Sequence, residues 1–204
     1  LRLKAVKQIR EVFKTVKLHV EKSIRAMEND KSLLNKRLHL MVDQKYLQDL
    51  DGIIAEMINE ITVNKEAMIG LVDIKNMKSF VYQHSIQVTV LSLLIGASLK
   101  MNKNMLKDLA IAAMLHDIGL TFLNKDLVIY KSTFTDAEKE TYKTHTQLGF
   151  DFIKESTNLS SHVRMGILQH HEEYSGNGYP LGLSEENIHL NARIICVANT
   201  YDKM

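Results

Sequence analysis

Six side chains in this sequence have the chemistry of metal ligands: His84, His116, Asp117, His145, His170 and His171. Five of the chain's nine histidines fall in that set. The densest piece is His116-Asp117-Ile118-Gly119, which closes an apolar run. Next comes His170-His171-Glu172, followed by Gly176-Asn177-Gly178-Tyr179-Pro180. Imidazole and carboxylate suit Fe, Mn, Zn and Ni, and a pair of such ions is a standard device for cleaving phosphate esters. An imidazole ligates through an unprotonated nitrogen, and burial at a helix end among apolar neighbours keeps it unprotonated. His116 and Asp117 are adjacent, so on a regular helix they diverge by about 100°. At a helix terminus His116 can take one ion while Asp117 bridges two, and a shared carboxylate offsets part of the charge of two close dications. Each residue has a plainer reading when taken alone. A His-Asp pair after an apolar helix caps it, and His84 in an apolar helix is a satisfied core histidine. The company of the other histidines tips both toward ligands. His19, His39, His162 and His189 fit no spacing and read as surface or structural.

Helices must carry these residues. Proline occurs once and glycine nine times, which favours long helices and few tight turns. Over residues 79–100 apolar side chains cover nearly the whole helical surface, as in a buried helix, and His84 lies within it. Residues 104–115 predict a second helix, ending at His116-Asp117. Thr135 with Glu138 three residues on has the pattern of a capping box, opening a helix that carries His145. Residues 160–172 predict a helix running into the histidine doublet, 175–183 a glycine-rich loop, and 190–204 a last helix. Upstream, Val6, Ile9, Phe13, Val16, Val20 and Met27 trace a heptad seam broken at Ser23. Two readings stay open for it. One is an amphipathic helix packed on its own domain; the other is a signal-transmission or dimerisation element, giving a homodimer through the N-terminal helices. Polar Glu28-Asn29-Asp30-Lys31 and a second helix over 32–60 complete a hairpin. The expectation is an all-α protein, with an N-terminal helical hairpin over residues 1–65 and a bundle of about six helices over 66–204.

Composition narrows the class. A chain of 204 residues allows one domain, or one plus a small appendage, and 45% hydrophobic content is ample for a core. The 26 basic and 24 acidic residues are mixed along the chain, for a net charge of +2. Nothing in them resembles a nucleic-acid stripe or a polybasic membrane tract. No apolar run approaches the ~20 residues of a membrane helix, and no signal peptide is visible. No nucleic-acid partner and no membrane segment are therefore expected of this stretch. The single cysteine, Cys196, lies in Ile194-Ile195-Cys196-Val197; it reads as a buried thiol and fits a cytoplasmic location. The chain opens on Leu1 rather than Met, as a piece of a longer receptor would.

The order of motifs, an HD dipeptide, a lone His, HHE and G-x-G-Y-P, resembles the HD-GYP family of the HD phosphohydrolase superfamily over residues 79–204. The histidines stand 25 to 32 residues apart. The resemblance implies an HD-type helical bundle with a metal-dependent phosphodiesterase activity. The substrate would be cyclic di-GMP or a related nucleotide, attacked by a hydroxide activated by two divalent ions per chain, Fe or Mn favoured over Zn or Ni. It implies His116 and Asp117 as the catalytic pair and His84, His116, Asp117, His145, His170 and His171 as ligands. Asn199 stands where the family has a ligating Asp. Gly178, Tyr179 and Pro180 would line the substrate pocket, with Tyr179 stacked on or hydrogen-bonded to guanine; a structural turn with Tyr179 packed inward is the other reading. Glu172 would orient an imidazole. The sequence departs from the family at Leu120, where H-D-I-G-K has lysine, and at Thr146, Glu173, Ser175 and Asn199. It also stops at Met204, before the basic segment with which the family continues. Asp202, three residues after Asn199 and on nearly the same helical face, offers a substitute ligand. Two alternatives remain: a degenerate HD-GYP module that binds nucleotide or a partner protein without turnover, and an HD-type hydrolase of another phosphate ester.

Overall fold

The computed structural model describes residues 51–52, 54–59, 61, 80–124, 127, 133–154 and 159–204. Among these, the regular elements are all helical. They are α1 (Phe80–Ser98), α2 (Lys103–Leu115), a 3-10 helix (Ile118–Phe122), α3 (Asp136–Lys143), α4 (His145–Lys154), α5 (Ser161–Gln169), a 3-10 turn (Glu185–Asn187) and α6 (Leu190–Lys203). The described residues hold no strand, only one isolated antiparallel bridge between Ser175 and Ser184. The all-α expectation holds. The heptad seam, most of the hairpin, His19 and His39 lie outside the described residues.

A tight turn joins α1 to α2. Lys100 takes the left-handed conformation at φ 58°. The N–H groups of Leu99, Lys100 and Met101 fall back on the carbonyls of Ile95, Ala97 and Gly96. Asn102 then opens α2, its side-chain oxygen accepting the Met105 N–H at 3.0 Å, as a good N-cap does. A Cβ on Gly96 would stand 2.8–3.0 Å from Leu109, Leu106 and Met101, so the absence of a side chain there lets the two helices close up. The middle of α1 runs through the core: Ile86, Val88, Val90 and Leu93 are buried, with Thr89 and Ser92 beside them, and Leu91, Leu94 and Ile95 are half-buried. Its all-round apolar pattern is thereby explained. Helical residues Ile54, Met57, Ile58 and Ile61 enter the same core. α5 crosses α2 where a Cβ on Gly166 would come within 2.7 Å of the Ala112 Cβ. α6 lies across α1 and α5. Burying a Leu or Ile side chain contributes roughly 1.5–3 kcal/mol. Leu93, Leu109, Ile153, Ile167 and Ile195, all fully buried, therefore hold the helices against one another.

The helix ends carry the function, and two of them differ from the sequence expectation. Thr135 forms the predicted capping box: its N–H donates to Glu138 Oε2 at 2.9 Å and its Oγ accepts the Glu138 N–H at 3.3 Å. The helix it starts does not run through His145. It stops at Thr144, whose hydroxyl donates to the Thr141 carbonyl at 2.6 Å, and His145 begins a new helix. α5 stops at Gln169 rather than 172, with His170 as its C-cap. In both places a side chain takes a carbonyl that would have continued the helix ladder. Cys196 is partly rather than fully buried.

Candidate metal centre

The expected ligands come from three helix ends and one helix interior. His116 is the C-cap of α2 and Asp117 follows it. His145 is the first residue of α4, and His170 and His171 follow α5. His84 is the fifth residue of α1. Glycines bring two of these ends together. A Cβ on Gly119 would overlap the carbonyl of His145 and lie 2.7 Å from the Gly149 nitrogen. The turn after Asp117 can therefore rest directly on the start of α4, which sets Asp117 beside His145.

The imidazoles are oriented by hydrogen bonds on their far sides. Nδ1 of His116, His145 and His170 each lies 2.7 Å from the carbonyl three residues back, of Ala113, Tyr142 and Ile167. A carbonyl only accepts, so each Nδ1 carries a proton, and the neutral form of each ring has its lone pair on Nε2. Helix C-termini leave carbonyls without ladder partners, and these histidines use them. His84 lies where the carbonyls are already engaged, and its Nδ1 instead meets Asp202 Oδ2 at 2.6 Å.

The four Nε2 atoms surround Asp117 in two pairs. His84 and His116 face Oδ2 at 3.7 and 3.3 Å. His145 and His170 face Oδ1 at 3.3 and 3.5 Å. With His171 the second pair makes a group whose ligand atoms all lie within 4.8 Å of one another, and so does His84 with His116 and Asp117. His145 Nε2 and His170 Nε2 are 3.3 Å apart; with both Nδ1 atoms protonated this contact joins two lone pairs and is not a hydrogen bond. Nε2 of His84, His116 and His171, Oδ1 of Asp117 and Oδ1 of Asn199 are all buried without a hydrogen-bond partner. An unsatisfied buried polar group costs roughly 1–3 kcal/mol. The imidazole and Asp117 atoms converge at one place and fit a cation among them, so the cluster can hold divalent metal.

Electrostatics agree. Burial pushes the His170 imidazole down to about 4, and burial with the neighbouring His170 and His145 holds His171 well below its ordinary value. Both rings are neutral and free to ligate near neutral pH. Burial works against ionisation of Asp117, while positive charge on His116 and N–H donation from His116, His145 and His170, present when those rings are protonated, hold its carboxyl well below the usual range. With the rings neutral and turned lone pair inward, a bound cation would take that part.

The glycine loop closes over this cluster. The Tyr179 ring stacks on His171 with centroids 4.6 Å apart and planes 16° from parallel. Its N–H donates to the His171 carbonyl at 3.1 Å. Burial pushes the Tyr179 phenol up, so it stays neutral. Lys143 Nζ lies 5.8 Å from the centre of the Tyr179 ring. Gly178 passes so close to the backbone of Glu172 and Glu173 that no Cβ fits, while Pro180 is exposed. Glu172 corrects the sequence reading. Its carboxylate orients the loop rather than an imidazole: Oε1 accepts the Leu181 N–H at 2.6 Å and Oε2 the Leu183 N–H at 2.9 Å. Spacing could not have revealed this, because the partners are backbone groups.

Asn199 is buried on α6. Asp202 lies outside both ligand groups and bonds the far side of His84 instead. Leu120, 7% exposed, is packed inward. His162 and His189 are structural, as expected: they contact each other at 2.8 Å, and His189 Nδ1 accepts the Asn191 N–H at the start of α6.

Residues 58–204 match the family model of the HD domain, and the chain belongs to that family. More particularly, it is 29% identical over 167 residues to the cyclic di-GMP phosphodiesterase PA4108 of Pseudomonas aeruginosa, which covers 81% of this chain and 39% of the relative. It is 32% identical over 124 residues to a cyclic di-GMP phosphodiesterase of Thermotoga maritima, with coverage of 60% and 34%. It is 28% identical over 137 residues to the 3'3'-cGAMP-specific phosphodiesterase 1 of Vibrio cholerae, with coverage of 67% and 31%. The chain thus spans less than two fifths of each of these relatives. In fold it is similar to Bd1817, an HDGYP protein from Bdellovibrio bacteriovorus, with a TM-score of 0.71 at 19% identity, covering 94% of this chain and 58% of that one. No helix among the described residues is long and apolar enough to cross a membrane.

Proposed function

We propose that the chain is a metal-dependent phosphodiesterase that hydrolyses cyclic di-GMP. One observation carries this reading: Asp117 turns one carboxylate oxygen toward His84 and His116 and the other toward His145 and His170. On this reading His84, His116 and Asp117 would hold one divalent ion, and Asp117, His145, His170 and His171 a second. Asn199, at the place of the family's ligating Asp, would add a neutral amide oxygen. Fe or Mn is favoured by the family resemblance, while imidazole and carboxylate together also suit Zn and Ni. When bound, such ions supply the positive charge that activates a water nucleophile and neutralises charge developing on phosphate.

The chain's own residues do the positioning. Carbonyls of Ala113, Tyr142 and Ile167 fix the imidazoles with Nε2 inward. Tyr179 gives a flat surface beside the metal pocket, and with Gly178 and Pro180 it lines the place for a guanine base; Lys143 adds a cation near it. The names of the relatives support a cyclic dinucleotide as substrate. A module that binds without turnover is less favoured, because every expected histidine and Asp117 are present with their lone pairs converging. The preceding region, residues 1–65, is a helical dimerisation or signal-transmission element in this proposal. Its last turns, at Ile54, Met57, Ile58 and Ile61, dock into the core of the catalytic unit.

The test is direct. Protein purified without oxygen is assayed for metal per chain and for loss of cyclic di-GMP and 3'3'-cGAMP. The expected result is two ions per chain and faster loss of cyclic di-GMP. Metal-loaded protein that leaves both nucleotides intact would exclude the enzyme; preference for 3'3'-cGAMP would reassign the substrate.

A further inference from the structure

His84 is oriented unlike the other ligands. His116, His145 and His170 each lean on a carbonyl of their own chain segment, three residues back. His84 sits inside α1, where the nearby carbonyls already accept ladder N–H groups. It therefore needs an acceptor from another element. That acceptor is Asp202, 118 residues away in the last turn of α6, with Oδ2 2.6 Å from Nδ1. The two side chains are 3% and 8% exposed, so water does not compete for this contact. A carboxylate accepts without donating, so the His84 proton sits on Nδ1 and its Nε2 lone pair is turned toward Asp117 and His116.

We propose that Asp202 is the positioning residue of the His84 subsite and the source of the negative charge that Asn199 does not bring. The proposal rests on the two-group reading above. A carboxylate hydrogen-bonded to a ligating imidazole fixes its tautomer and raises its basicity. In the His84–His116–Asp117 group the one formal negative charge is Asp117, which is shared with the other group. Asp202 sets a second negative charge beside the group, on the far side of the His84 ring. The same aspartate would do less as a direct ligand, because His84 would then lose the acceptor on its Nδ1.

The experiment follows zinc binding to the metal-free full chain by competition with a chromophoric chelator, together with the nitrogen-15 NMR signals of His84. Wild type is expected to bind zinc in two steps, with His84 as the Nδ1–H tautomer. Asp202→Ala is expected to weaken one step by ~10–100-fold and leave the other unchanged, with the Nε2–H tautomer of His84 appearing. Asp202→Asn, which keeps an acceptor without the charge, is expected to keep the Nδ1–H tautomer and lose a smaller part of the affinity. Asp202→Glu is expected to restore most of both. The proposal is overturned if Asp202→Ala keeps wild-type affinity and tautomer, or if it lowers only the melting temperature. Wild-type protein that binds zinc in two steps but hydrolyses no cyclic dinucleotide would remove the enzymatic reading and leave the role of Asp202 standing.

Discussion

The two ligand groups around Asp117 are held in place by different means. In the group of His145 and His170 each ring is fixed by a carbonyl three residues away. That orientation is decided within one turn of chain, as soon as the helix ends form. In the group of His84 and His116 one ring, His116, uses the same local device, while His84 depends on Asp202 across 118 residues. Half of that group therefore exists only after α6 has packed on α1. The comparison teaches that one metal pocket can be assembled from short-range and long-range parts, and that these parts should fail separately.

The largest effect should come from the residue common to both groups. Asp117→Ala is expected to abolish binding in both groups and to bring hydrolysis below detection, measured as metal per chain and turnover. Retention of one ion would mean that one group stands without the shared carboxylate. Next is Gly119→Ala, whose new methyl would strike the His145 backbone. Overpacking typically costs about 1–3 kcal/mol, and a backbone obstacle puts this change at the upper end or beyond. Gly52→Ala meets nothing within 4 Å in a helical position, and is expected to stabilise by up to about 1 kcal/mol. Thermal or denaturant unfolding of the two side by side checks the contrast.

Acid should act through the His145–His170–His171 group. His170 titrates at about 4 in the folded chain against 6.5 for an unperturbed ring. The unfolded chain binds more protons between those values, so the contribution of this ring is complete above 6.5 and lost as pH falls toward 4. The loss is on the order of 3 kcal/mol, and His171 adds to it in the same sense. Melting temperatures of the metal-free protein from pH 7 to 4 should fall accordingly, and His170→Gln should flatten the slope. The smallest change is expected at Asn199. Asn199→Asp is expected to raise metal affinity by ~10-fold, comparable to the weaker metal-site partner effects, and to raise turnover. Identical zinc affinities for wild type and variant would mean that Asn199 takes no part. Leu120→Lys, which the family pattern would recommend, should not help, because it puts a cation at an inward-packed position.

What could be seen in the sequence follows the same division. The HD pair, the histidine doublet, the capping box at Thr135 and the buried character of α1 all depend on residues close in sequence, and all stand in the structure. The break at Thr144 was not legible, because the pattern of apolar residues continues across it while side chains take the carbonyls. The partners of Glu172 are two backbone N–H groups 9 and 11 residues on, which no side-chain pattern announces. Asp202 stood out only as a replacement for Asn199, since its true partner lies at the other end of the domain.

The contact between Gly119 and the start of α4 has a consequence for moving this centre elsewhere. Anyone transplanting the site into another helical scaffold would copy the histidines and Asp117 first. Without a bare glycine at the crossing the two helix ends could not approach, and the transplanted ligands would point correctly from the wrong places. The portable unit is therefore a ligand set together with Gly119 and Gly149, the two positions where each segment gives up its side chain to make room for the other.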